Sequence, residues 1–181
     1  MPNIENHSVA LISDQSPNTQ IETQKIISLN KFIFLSILTM GLYQIWWMFK
    51  VWRFFMQKDK LNVMPAFRAV FALFFLYSLV KRIQSAANAE GYTERFSALG
   101  SYLGFIVFSL LFKLPAPYEL ISLLNVLFLI PAFKAFNFAR QQSNQCVTVE
   151  QKKFSRTQKI VIVIFSILWF FYLLGLFILA L

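Results

Sequence analysis

A single cysteine, Cys146, and a single histidine, His7, supply all the thiol and imidazole chemistry of this 181-residue chain. One cysteine excludes an intramolecular disulfide, and without Cys or His companions it makes no zinc site. A lone histidine in a polar tail lacks the converging partners that a catalytic base or a metal needs, so it is expected to be solvated. Acidic residues are scarce too, eight Asp and Glu against seventeen Lys and Arg, and Glu119 is the only carboxylate beside an apolar helix. There are no paired acids, no nucleophile with a histidine and no glycine-rich phosphate loop. The sequence therefore implies no catalytic residues, no metal and no cofactor.

What the chain has in excess is apolar surface. Its residues are 57% hydrophobic, with 22 phenylalanines and a mean hydropathy of +0.58, above the share a soluble domain carries. Ile160 to Leu181 is 22 residues without a charge; at roughly 1.5 Å per residue such a run covers the ~30 Å hydrocarbon core of a bilayer. Phe32 to Phe49, 18 residues between Lys31 and Lys50, is the second candidate span. The expected location is a membrane. No lysine or arginine occurs in the first 24 residues, and the apolar patch Val9 to Ile12 is too short for a signal core. The first span is thus expected to act as an uncleaved insertion signal. Residues 1–28, rich in Asn, Gln, Ser and Thr, read as a disordered polar tail.

Three weaker apolar blocks lie between the two strong ones. With them, residues 29–181 read as an all-α, polytopic membrane bundle of about five helices, near 30–56, 65–90, 94–113, 117–142 and 157–181, since open sheet edges are not tolerated in hydrocarbon. Pro65 suits a first helical turn and Gly91 a helix end. Pro115 and Pro117 make residues 96–140 a helical hairpin, and Pro131 should kink its second arm. Five crossings would place 11 cations on one side and 6 on the other; if helix 65–90 lies in the interface, four crossings place 14 against 3. The second division fits the positive-inside rule better, and both leave residues 141–156 in the cytoplasm.

The run from Leu38 to Phe54 concentrates aromatic and cationic residues. Tyr43, Trp46, Trp47, Lys50, Trp52 and Arg53 are expected to anchor the first helix at the membrane interface, where amphipathic rings and cations meet headgroups. The alternative is an aromatic cage for a cationic or lipid headgroup. Thr39 and Gly41 invite a bend or a re-entrant turn. The run LSILTMGLYQIWWMFKVW, with Thr39, Gly41 and Tyr43 followed by Trp46, Trp47 and Lys50, resembles the T-x-G-x-Y first-helix signature of a group of small bacterial inner-membrane proteins classed as a domain of unknown function. The resemblance implies a bacterial inner membrane and carries over no chemistry.

Further residues are singled out by type and spacing. Gly100 and Gly104 form G-x-x-x-G, a small-residue face for close helix packing within the chain or against a second copy. Gln44, Arg68, Glu119 and Asn125 are polar residues at membrane depth; Arg68 and Glu119 either pair or sit at helix ends among headgroups. Lys152, Lys153, Arg156 and Lys159 precede the last span and suit anionic lipid on the cytoplasmic side. The formal net charge of +9 does not point to nucleic acid, because the cations flank apolar helices instead of forming a solvated basic face. The expected function is that of a partner-binding, regulatory or assembly-type membrane protein, acting on a membrane-protein partner or as a homo-oligomer. The alternative is a small transporter or channel subunit.

Overall fold

The first predicted helix, 30–56, turns back on itself. In the computed structural model, which describes residues 21–59, 64–143, 146–151 and 153–180, helix α1 (Leu29–Leu38) and helix α2 (Leu42–Lys58) are separated by a three-residue break. The Phe32 and Trp47 rings lie with centroids 5.3 Å apart, whereas fifteen residues of continuous helix would hold them ~22 Å apart. Thr39 drives the break. Its hydroxyl donates to the Leu35 carbonyl at 2.8 Å and accepts from the Tyr43 amide at 2.9 Å. The Gly41 amide then reaches the Ser36 carbonyl and the Met40 amide the Ile37 carbonyl, the paired bonds of a Schellman stop. Met40 (φ 51°) and Gly41 (φ 90°) both take the left-handed conformation that reverses the chain. Phe32–Phe49 is therefore not one straight span.

The second predicted helix, 65–90, is also divided. Pro65 occupies the first turn of α3 (Pro65–Val70), and Phe71, at ψ 44°, separates it from α4 (Ala72–Ala89). Ala72, Leu76, Leu79, Val80, Ile83 and Ala87 are the buried stripe of α4, at the three- and four-residue spacing of one helix face. Gly91, at φ 88°, ends it as predicted, in a second Schellman stop with bonds to Asn88 and Ala87.

The hairpin expected over 96–140 is present with a change of helix type. Ser97 caps α5 (Ala98–Leu110) by accepting from the Gly100 amide, and Leu111–Lys113 continues it as a 3-10 turn. After the two prolines, Tyr118–Leu129 winds as a 3-10 helix, tighter than an α-helix and seldom so long. It becomes α6 (Ile130–Gln142) where Pro131 enters the first α turn. That is a position at which its missing N–H costs no bond. The chain ends in α7 (Arg156–Ala180).

Among the described residues, one element departs from the all-α reading. Strand β1 (Ile21–Ile26) pairs in parallel with β2 (Cys146–Glu150), Lys25 opposite Val149 and Ile26 opposite Glu150. Both segments carry β-branched residues, Ile21, Thr23 and Ile26 in β1 and Val147, Thr148 and Val149 in β2, a composition suited to a short strand. β1 falls in the last part of the stretch expected to be a disordered tail; residues 1–20, with His7, lie outside the described residues. The core gathers Phe32, Trp52, Phe133 and Phe136 with the buried face of α4. Among the described residues two helices are long and apolar enough to cross a membrane: Tyr118–Gln142, with mean hydropathy 1.7, and Arg156–Ile178, with mean hydropathy 2.7 over an apolar stretch none of which is buried inside the protein. Leu29–Leu38 and Ala98–Lys113 are shorter apolar helices.

Candidate functional site

Three helices each turn one stripe of side chains onto a cavity of about 620 Å³. From α2 come Leu42, Trp46 and Lys50, from α6 Phe133, Phe136 and Arg140, and from α7 Gln158, Val161 and Phe165. Each set follows the spacing of a single helix face. The lining is mixed: the polar residues Lys50, Arg140, Gln151 and Gln158 share it with apolar ones such as Leu42, Val161 and Phe165. Leu42 and Trp46 line the cavity and are also exposed, at 57% and 42%, so the gap between α2 and α7 is its rim.

The polar residues of the lining are held in place from several elements. Ser155 and Gln158 form a capping box at the start of α7: the Ser155 hydroxyl accepts from the Gln158 amide at 3.2 Å, and Gln158 Oε1 accepts from the Ser155 amide at 2.9 Å. Gln158 Oε1 also accepts from Gln151 Nε2 at 2.6 Å, and its Nε2 donates to the Tyr43 hydroxyl at 3.1 Å. Arg140 is 7% exposed; its guanidinium lies over the Phe136 ring, 4.3 Å from the centroid, and Nη2 donates to Asn137 Oδ1 at 2.5 Å. Lys50 Nζ sits 3.9 Å from the centroid of the Trp46 ring. The charged residues of the described lining are Lys50 and Arg140; none is acidic.

Among the predicted anchors, Tyr43, Trp47 and Trp52 are core residues, 8%, 4% and 1% exposed. This corrects their assignment to the interface. The fold-back at Thr39 presses the Tyr43 and Trp47 face onto Phe32, and Trp47 onto Phe133 as well. Trp46, Lys50 and Arg53 are exposed. Gln44 and Asn125 meet: Gln44 Nε2 donates to Asn125 Oδ1 at 2.9 Å, and Asn125 Nδ2 to the Ser109 hydroxyl at 2.9 Å. Arg68 and Glu119 do not pair with each other. Arg68 stacks over Trp52 at 4.6 Å and Phe75 at 5.3 Å, and Glu119 accepts from the Tyr172 hydroxyl.

Gly104 packs as expected of a small residue, since a Cβ there would stand 2.1 Å from the Phe128 ring. Gly100 is exposed and a Cβ there would meet only its own cap, Ser97, so the G-x-x-x-G pair is not one packing face within this chain. Lys153, Arg156 and Lys159 are exposed at the start of α7, and Lys152 lies outside the described residues. Sequence reasoning passed over Arg140 and Gln158. Arg140 was legible only as one more cation of a connection, though S-x-x-Q at Ser155–Gln158 is a readable capping box. No family model, curated protein or solved structure matches the chain, so the site rests on its own geometry.

Proposed function

We propose that this chain is a multi-pass membrane protein of a bacterial inner membrane, without catalytic chemistry of its own, that acts by holding a membrane-embedded partner molecule in the cavity between α2 and α7. The observation that carries the reading is the cavity's rim, where the exposed Leu42 and Trp46 of α2 line the space beside the apolar helix α7. The T-x-G-x-Y resemblance supports the location. Its three residues also have local work in the fold: Thr39 and Gly41 make the reversal, and Tyr43 ties it to α7.

The chain's connections support three crossings, by Ala98–Lys113, Tyr118–Gln142 and α7, in place of four or five. Because β1 pairs with β2, the segment before α1 and the connection before α7 belong on one side. The α1–α2 reversal returns to that side. Lys58 with Glu90 (4.0 Å) and Arg82 with Asp59 (3.6 Å) tie the ends of α2 and α4 together, so α3 and α4 enter and leave by the same face. On this reading sixteen of the seventeen cations share one side and Lys113 alone is opposite. That is a steeper bias than either division drawn from sequence, and it makes the shared side cytoplasmic.

A transporter or channel subunit is favoured by one observation, the row Gln44, Asn125 and Ser109 crossing three elements. Those groups bond to one another, which suits helix cohesion better than a water path. The binding reading is tested by placing a photo-crosslinking residue at Leu42 in native membranes, with Phe170 on exposed α7 as the comparison. A discrete adduct at position 42 that is absent at 170 is expected. Indistinguishable adduct patterns at the two positions would remove the cavity as a binding site.

A further inference from the structure

We infer that the protein is a wedge in the membrane. The helix pairs α1–α2 and α3–α4 enter the cytoplasmic leaflet and stop within it, so the chain takes more area there than in the outer leaflet and favours membrane that is convex toward the cytoplasm. The inference rests on the three-crossing reading above and goes beyond it, because a count of crossings does not set how far the two turns reach.

Three lengths fix the depth of the first turn. Lys31 to Leu38 and Leu42 to Lys50 are seven and eight residues of helix, ~10 and ~12 Å at about 1.5 Å per residue, less than half of the ~30 Å hydrocarbon core. Lys31 marks the cytoplasmic level, since its Nζ donates to the Gln151 carbonyl of the connection before α7 at 2.6 Å. The third length is independent of the other two. The Leu38 carbonyl accepts from Trp169 Nε1 at 2.8 Å, and Trp169 lies ten residues past Lys159, the last charged side chain. That is ~15 Å along α7, about the middle of the bilayer. At the turn itself Ile37, Met40 and Leu42 are apolar and exposed, as a tip among acyl chains must be.

The second turn is shallower. Arg68 of α3 lies over Trp52, two residues beyond Lys50 on α2, and the Leu73 carbonyl at the start of α4 accepts from the Tyr102 hydroxyl, five residues past the Ser97 cap of α5. Both neighbours stand near the cytoplasmic ends of their helices. Around this turn Phe67, Val70, Phe71 and Phe74 are exposed. A cation at headgroup level beside an exposed apolar patch suits a segment lying in one leaflet. Among the described residues the outer leaflet has no counterpart, because residues 114–117 join the two arms of the hairpin directly. Counting only α1, α2 and α4, each about 10 Å across, the cytoplasmic leaflet holds on the order of 200 Å² more protein. A bilayer relieves such a difference by bending with its fuller leaflet outermost, as it does around amphipathic helices.

The test uses the full-length protein in giant vesicles of dioleoyl phosphatidylcholine and dioleoyl phosphatidylglycerol in equal parts, from which thin membrane tethers are drawn. On Cys146→Ser, an impermeant fluorescent maleimide at Lys153→Cys marks copies whose cytoplasmic face is outward, and at Lys113→Cys it marks the reverse. Outward copies should be enriched in the tether about twofold or more over the vesicle body, a preference of ~0.4 kcal/mol, and more as the tether narrows; reversed copies should be depleted. Val70→Ser with Phe74→Ser should lose most of the enrichment, whereas Phe170→Ser, also exposed but on a crossing helix, should keep it. Nitroxides at Met40 and Phe74, read by collision with oxygen against a nickel chelate, should report the bilayer middle and a level between it and the headgroups. Equal density of outward copies in tether and vesicle, with both nitroxides at those depths, would overturn the wedge and leave the three crossings in place. A Met40 nitroxide reached by chelate from the outer face would mean that α1 crosses, and would overturn the wedge and the three-crossing reading together.

Discussion

The Tyr43 hydroxyl accepts a hydrogen bond from Gln158 Nε2 at 3.1 Å, and so fastens the second helix to the first turn of the last across 115 residues. Tyr43→Phe leaves a 7%-exposed amide short of one partner. A loss of about 1–3 kcal/mol is expected for a buried donor left unsatisfied, read as a lower melting temperature of the detergent-purified protein. An unchanged melt would show the contact to be dispensable.

Gly104 and Gly100 should behave oppositely. Gly104→Ala drives a methyl into the Phe128 ring, an overpacking expected to cost about 1–3 kcal/mol, and Phe128→Leu in the same chain should recover part of it. Gly100→Ala, with only Ser97 nearby, should be mild. Equal thermal shifts for the two glycines would refute this account of α5 packing.

The reversal at Thr39–Gly41 depends on a positive φ at Gly41, where an added Cβ meets no atom within 4 Å. Any penalty in Gly41→Ala is therefore conformational, about 1–2 kcal/mol. Thr39→Val, which removes both hydroxyl bonds but keeps the shape, should destabilise to a similar degree. Melting of the two variants indistinguishable from the parent would argue for a continuous helix through residue 40.

Gln44, Asn125 and Ser109 should couple. Asn125→Leu strands the buried Gln44 amide, at about 1–3 kcal/mol. Adding Gln44→Leu should restore much of the loss, because it removes the stranded amide and leaves only the half-buried Ser109 hydroxyl without its donor. Strict additivity in the double-mutant cycle would mean that the two side chains do not interact.

Sidedness can be read with a membrane-impermeant maleimide on single-cysteine variants made on Cys146→Ser. Asn30→Cys and Lys153→Cys, both at exposed positions, should label only after spheroplasts are opened, and Lys113→Cys should label in intact ones. Opposite patterns for Asn30 and Lys153 would contradict the pairing of β1 with β2.

The last helix, the proline-bounded hairpin, the helix start at Pro65 and the stop at Gly91 were legible in the sequence because each is signalled by a local run or a single residue type. The reversal at Thr39 was legible as a bend or a re-entrant turn, but the sequence did not decide between them, since nothing in a methionine at position 40 announces a left-handed backbone. Without the reversal, Tyr43, Trp47 and Trp52 read as surface rings, because the sequence pattern cannot say which side of an aromatic helix finds a neighbour. The site was half visible. Trp46 and Lys50 stood out, but Arg140 and Gln158 become its partners only through the convergence of α2, α6 and α7, which lie far apart in the chain.

The two strands carry a consequence for the order of events during synthesis. About 120 residues separate the end of β1 from the start of β2; at ~5–20 residues per second, the first strand waits roughly 6–24 s for its partner to be made. By the end of that interval the α1–α2 reversal, α4 and the proline hairpin have been translated while α7 has not. The wall of the cavity contributed by Gln158, Val161 and Phe165 thus arrives after everything else, so a chain stalled before residue 156 could complete most of its core and still have nowhere to hold a ligand.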